Sequence, residues 1–241
     1  MDLSSFRGRI FVEPLSPDAP YREAIGGLLW AAIMTRPEIM YAVLQLAQFS
    51  SQPKAHHWDG IKHILMYLKG HLGLGLNIRR TNDPDKLSYY AASDADWAGG
   101  EDRLSFTGNI RYWQNAIIGW SCQKLKTVSL SVLESEIMGA SKCAKRVRWE
   151  RWLIKSLTGA EPPEPTTIYC DNESTIHISE TGIRSARTKH IQLNRMYIVE
   201  AKNEGWAKLA KIPTKHNSAD IFTKPKGPQG FKEALVNLKM E

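Results

Sequence analysis

The chain has 241 residues, of which 42% are apolar and 24% charged, and a formal net charge of +7. That size and balance leave room for a sizeable core and exclude a low-complexity or fibrous chain, while the positive excess favours an anionic partner such as nucleic acid. Cys122, Cys143 and Cys170 form no CxxC pair, which argues against a zinc ribbon or disulfide framework and for a reducing, intracellular compartment. No stretch approaches a membrane span, and the first ten residues lack the apolar core of a signal peptide.

Residues 1–20 carry Pro14, Pro17 and Pro20 with little periodicity and read as a poorly ordered leader. Three helical stripes follow. Ile25, Leu28, Leu29 and Ile33 form the first, and Ile39, Ala42, Val43, Leu46 and Phe49 the second. Trp58, Ile61, Ile64, Leu65 and Leu68 form the third, so that 21–71 is a small helical unit. His56, His57, His63 and His71 have no carboxylate or cysteine at ligand spacing and read as surface helix histidines. Leu72, Leu74, Leu76 and Ile78 alternate, which predicts a short strand. The polar run 79–86 with Pro84 is a linker, so 72–86 separates the helical unit from a second domain at 87–241.

That second part reads as α/β. Strands are predicted at Leu87–Ser93, Gly108–Gln114 and Ile117–Cys122, with Asn115-Ala116 as the hairpin turn between the last two. Ser129–Thr158 is a long helix whose buried stripe is Leu133, Ile137, Ala140, Ala144 and Val147, with Ser131 and Glu134 as a capping box. A proline-rich loop leads to a strand at Thr166–Cys170 and a helix from Ser174. A helix at Ile191–Asn203, a strand at Trp206–Ile212 and a helix starting at Ala219–Phe222 complete the order.

Acidic residues recur at the joints of this layout. Asp94 ends the first strand, with Asp96 two positions on and so on the same side. Glu136 lies one turn into the long helix, Asp171 ends the fourth strand and Asp220 follows the last loop. Each has an ordinary alternative: a strand-end turn for Asp94, a solvated glutamate for Glu136, a helix N-cap for Asp171. Strand ends in an α/β layout converge at one edge. Four carboxylates gathered there repel one another unless divalent cations intervene, and oxygen-only ligands select hard ions, Mg²⁺ or Mn²⁺. Two such ions about 3.5–4 Å apart support phosphodiester hydrolysis.

The segments YREAIGGLLWAAIMTRPEIMYAV (21–43), SDADWAGGEDR (93–103), LSVLESEIMGAS (130–141), IYCDNESTI (168–176), ARTKHI (186–191) and IPTKHNSADIFTKP (212–225) carry a resemblance. In that order they are similar to the carboxyl-terminal part of the polyprotein of a copia-type retrotransposon, ending in its ribonuclease H domain. The resemblance implies a ribonuclease H-like mixed five-stranded sheet with flanking helices, preceded by a helical segment of the type that joins polymerase to ribonuclease. It implies that Asp94, Glu136, Asp171 and Asp220 bind two Mg²⁺ ions (or Mn²⁺) and cut the RNA strand of an RNA–DNA hybrid. It also implies an upstream polymerase part as partner, and a place in cytoplasmic element particles or in the nucleus. The paired aspartates of a polymerase are absent, so no DNA synthesis is expected of this chain. The chain departs from the family pattern at Val132-Leu133, where Ser-Thr is usual, at Gln192, and at Asn194-Arg195-Met196.

A hybrid needs a positive track for its phosphates. Arg184, Arg187, Lys189 and His190 form one basic cluster, Lys142, Lys145, Arg146 and Arg148 a second, and Lys211, Lys215 and Lys224 a third; each fits a solvated face equally well. Trp97, Trp113 and Trp120 fit either sugar contacts or core packing. His216 fits either a mobile general base or a surface loop. Two other readings compete: a retroelement remnant that binds nucleic acid without cleaving it, and an integrase-like nuclease of the same fold class. The early glutamate and the fourth acid speak against the second of these.

Overall fold

The computed structural model describes residues 15, 16, 18–78, 88–99, 102–181 and 189–240. They divide into two compact units, Met1–Asn77 with Pro225–Glu241, and Ile78–Lys224. No helix among the described residues is long and apolar enough to cross a membrane.

The first unit is built from the three predicted stripes. Helix α1 spans Tyr21–Met34, α2 Met40–Ala47 after a 3₁₀ turn at Pro37–Ile39, and α3 Ala55–Gly70. Ile25, Leu28, Val43, Leu46, Ile61 and Ile64 are buried between them, and the Tyr21 hydroxyl donates to Leu46 O at 2.8 Å.

His57 departs from its surface reading: it is 6% exposed. Its Nδ1 accepts from the Lys54 backbone N–H at 3.1 Å, closing the first turn of α3, and its ring stacks on Phe49 with centroids 3.8 Å apart. Burial, with help from His56 and Lys54, lowers its pKa from 6.5 to about 4. The fold therefore favours the neutral ring, so its contribution to stability is present above pH 6.5 and is lost as pH falls towards 4. Thermal melts of the parent should fall through that window, and His57→Gln should flatten this part of the loss. An unchanged profile in the variant would contradict the assignment.

Two expectations fail in this unit. The strand predicted at 72–78 reduces to a single bridge between Leu76 and Met240. Gly73 and Gly75 weaken any strand there, and Leu72 and Ile78 point to solvent. The carboxyl-terminal stretch, expected within an 87–241 domain, belongs to the helical unit instead. It forms a helix missed in the sequence, named α7 below, at Pro228–Asn237, with Phe231 edge-on to Tyr67 at 5.5 Å and Ala234 and Leu238 buried.

The second unit holds the mixed five-stranded sheet with flanking helices that the resemblance implies. Its elements are β1 (Tyr89–Ala95), β2 (Phe106–Trp113), β3 (Ala116–Lys124), α4 (Val132–Thr158), β4 (Thr166–Cys170), α5 (Glu173–Thr181), α6 (Lys189–Asn203) and β5 (Ala207–Lys211). The strand order is β3-β2-β1-β4-β5. The β1–β2 and β2–β3 pairs are antiparallel, while β1–β4 and β4–β5 pair in parallel. The hairpin turn lies one residue earlier than expected. Trp113 pairs with Ala116, and Gln114 and Asn115 both take positive φ, 51° and 66°, which is the combination a two-residue turn of type I′ requires.

Helix α4 buries the predicted stripe against the sheet. Ala144 and Val147 join Tyr89, Ala91, Ile168, Ala201 and Trp206, and Ile137 and Ala140 pack with Ile198 and the half-buried Leu133. The unusual Leu133 thus packs against the core. Ser131 Oγ accepts from the Glu134 N–H at 3.2 Å, while the Glu134 carboxylate accepts from the Leu130 N–H at 2.6 Å. One ionic network interrupts the apolar layer. Arg111 of β2 donates to Glu150 of α4 at 2.7 Å, Tyr89 Oη donates to the other Glu150 oxygen at 2.5 Å, and Arg111 also donates to Asn109.

Candidate active site

The parallel pairing of β1 with β4 brings the first and third acids together. Ala92 stands opposite Tyr169, and continuing that register two residues places Asp94, near the end of β1, beside Asp171, just past the end of β4. β1 runs to Ala95, two residues beyond the predicted end, so Asp94 sits inside the strand rather than in a turn. Asp171 does not cap the following helix. Asn172 does so, its Oδ1 accepting from the Thr175 N–H at 2.9 Å, which leaves the Asp171 side chain to the site.

The second acid arrives on α4, and Gly139 sets how closely that helix approaches. A Cβ at Gly139 would meet Asp94 O at 3.3 Å and Ala95 Cβ at 3.5 Å, so its absence lets the first turns of α4 lie against the end of β1. Glu136, one turn earlier, is then 5% exposed rather than solvated. Asp94, Glu136 and Asp171 each present an oxygen within 4.8 Å of the other two.

The fourth acid, Asp220, is buried in the 3₁₀ turn Ser218–Phe222 and is not one of that three-carboxylate set; Lys224, four residues on, pairs with it. Thr223 joins the two parts of the site by donating its hydroxyl to Asp94 Oδ2. Asp96 also stands apart. It follows β1 and accepts backbone N–H bonds from Phe106 and Gly99, and burial raises its pKa to about 6. It shapes the turn instead of joining the cluster.

The electrostatics single out Glu136. Burial first, then the Asp94 and Asp171 charges, raise its pKa from 4.5 to about 9, against the opposing pull of Lys224 and the Ala95 N–H. Its Oε2 is buried with no hydrogen-bond partner among the described residues. Three gathered carboxylates, one of them buried with an orphaned oxygen, are an all-oxygen donor set of the kind a hard divalent cation satisfies. These residues fit such an ion.

The remaining predicted residues fall elsewhere. Arg187 lies outside the described residues, as does Arg184, and Lys189 and His190 open α6. His216 is exposed at the end of a 3₁₀ turn, four residues before Asp220. On α4, Lys142 reaches Thr107, Lys145 lies over the Tyr197 ring, and Arg148 lies over Trp152 and Trp206. Lys211 donates to Asp171 O at 2.8 Å and pairs with Glu173. Trp97 is half exposed, its indole donating to Ser129 O at 2.9 Å, whereas Trp113 packs on the core beside Tyr89. Asn172, Thr223 and Gly139 all lie within the segments that carry the resemblance, but their roles depend on contacts made only in the fold, and sequence reasoning missed them.

No protein-family model matches the chain. It is 36% identical over 206 residues to the retrovirus-related Pol polyprotein from transposon TNT 1-94 of Nicotiana tabacum, covering 85% of this chain and 15% of that protein. It is 33% identical over 231 residues to the corresponding polyprotein from transposon RE1 of Arabidopsis thaliana, covering 95% of this chain and 15% of that one. Among solved structures it is similar to LC11-RNase H1, isolated from compost by a metagenomic approach, at 12% identity and a TM-score of 0.44, over 62% of this chain and 99% of that one. The chain thus spans about one seventh of the length of the polyproteins it matches. It belongs to the family of retrovirus-related Pol polyproteins of copia-type transposons.

Proposed function

We propose that this chain is the ribonuclease H part of such a polyprotein, an endonuclease that hydrolyses the RNA strand of RNA–DNA hybrids with two Mg²⁺ or Mn²⁺ ions. The observation that carries this reading is the convergence of Asp94, Glu136 and Asp171 within 4.8 Å, with one Glu136 oxygen buried and without a hydrogen-bond partner among the described residues. When bound, the ions would supply an activated water and charge stabilisation at the leaving oxygen. The chain's own residues hold the site in place. β1 and β4 fix Asp94 and Asp171 on strand ends, and α4 holds Glu136 almost fully buried beside them. Asp220, buried beside Lys224, adds a fourth carboxylate near the edge of the site. His216, exposed on the loop before it, would move a proton between the scissile phosphate and water. Phosphates would track along the basic residues Arg187, Lys189 and His190, and the preceding polymerase part would supply the rest of the hybrid-binding surface.

The test is cleavage of a hybrid labelled on its RNA strand, beside single-stranded RNA and duplex DNA. Metal-dependent cutting of the hybrid RNA alone is expected, lowered by about 10³-fold or more in Asp94→Asn. A folded protein that binds hybrid but cuts it with neither Mg²⁺ nor Mn²⁺ would instead support a remnant that binds nucleic acid without cleaving it.

A further inference from the structure

The segment from Asn217 to Lys224 is pinned to the sheet beside the first acid. Asn217, 2% exposed, donates through Nδ2 to Ser93 O at 3.0 Å, and its Oδ1 accepts from the Ala219 N–H at 3.1 Å. Cys122 Sγ of β3 donates to Phe222 O at 2.8 Å. Gly108 stands opposite Asp94 in the β1–β2 pair, and a Cβ there would meet Phe222 Cβ at 2.6 Å and Ala219 O at 2.8 Å. The missing side chain is what lets the segment lie flat on β2. At its end Thr223 is fully buried, with its hydroxyl oxygen 3.2 Å from Asp220 O and its proton given to Asp94 Oδ2.

We infer that Thr223 is a positioning residue, whose hydroxyl fixes the rotation of the Asp94 carboxylate so that it meets Glu136 and Asp171 in the geometry a divalent cation needs. This rests on the cation-site reading above. A carboxylate on a strand still turns about its last side-chain bond, and a strong donor on one oxygen removes that freedom before an ion binds. Hydrogen-bonded partners of ligating carboxylates set affinity in this way, and their loss typically weakens metal binding by about 10–100-fold. The pins at Asn217, Cys122 and Gly108 explain why the donor sits in one place. A packing role for the Thr223 methyl is the competing explanation, and the two separate cleanly by substitution.

The experiment is a Mn²⁺ titration of the full chain, followed by electron paramagnetic resonance, for the parent, Thr223→Val, Thr223→Ser and Asp94→Asn, each with its melting temperature. Thr223→Val keeps the shape and loses the donor, so its Mn²⁺ affinity should drop by about 10–100-fold. Thr223→Ser keeps the donor and should bind close to the parent. If the valine variant does not fold, Thr223→Ala is compared with Thr223→Ser, which differ by the hydroxyl alone. Parent-like affinity in Thr223→Val, or an equal loss in Thr223→Ser, overturns the assignment while leaving the cation site intact. A parent that binds no Mn²⁺, or an Asp94→Asn variant that binds as the parent does, overturns the cation-site reading and the role of Thr223 with it.

Discussion

Glu136→Gln is expected to raise the melting temperature of the metal-free protein while lowering cleavage of the hybrid by about 10³-fold or more. The two effects have one cause. Glu136 is buried between two carboxylates, so the fold opposes its charge and lifts its pKa from 4.5 to about 9. A carboxyl with a raised pKa contributes stability that is complete below pH 4.5 and lost as pH climbs through about 9. In chelator, the parent should therefore melt at progressively lower temperature across that interval, whereas the glutamine variant, which cannot ionise, should show a flatter profile. Saturating Mg²⁺ should restore the parent at high pH and leave the variant unmoved. A variant that melts below the metal-free parent at pH 8 would mean that the charge is compensated by other means.

Arg111→Met is expected to cost about 3–5 kcal/mol, because it strands the buried Glu150 carboxylate without its cation. The pair is nearly dry, with side-chain exposures of 7% and 8%. Tyr89 would still donate to Glu150, but a neutral donor does not replace a guanidinium. At about 2–4 °C per kcal/mol for a protein of this size, the melting temperature should fall by roughly 6–20 °C. The double variant Arg111→Met with Glu150→Leu should regain most of that loss, since replacing a buried pair by apolar groups is often close to neutral. A single variant that melts within 2 °C of the parent, on the order of the 1 kcal/mol expected of an exposed pair, would show that water reaches this network.

Most of the sheet was legible because its strands alternate and end on turn residues. β4 has the predicted bounds, and α4 shows the predicted stripe from Ile137 to Val147. The acids were legible as positions, since Asp94, Glu136 and Asp171 each fall at the joint where an element meets the sheet edge. Their individual ambiguities were settled only by tertiary context: Asn172 takes the cap that Asp171 could have made, and Gly139 lets α4 close over Glu136. What local pattern could not show was pairing between distant segments. Thr223 reaches Asp94 across 129 positions of chain, and α7 joins helices more than 150 residues upstream. His57 was misread for a related reason. A histidine at the third position of a helix is ordinarily solvated, and its burial under Phe49 follows from the turn between α2 and α3.

Three carboxylates gathered to hold a divalent ion should be visible by anomalous scattering from a crystal grown with Mn²⁺. A manganese peak bounded by Asp94, Glu136 and Asp171 is expected, and it should be absent in Asp94→Asn. A folded parent crystal saturated with Mn²⁺ and showing no peak among these three residues would contradict it.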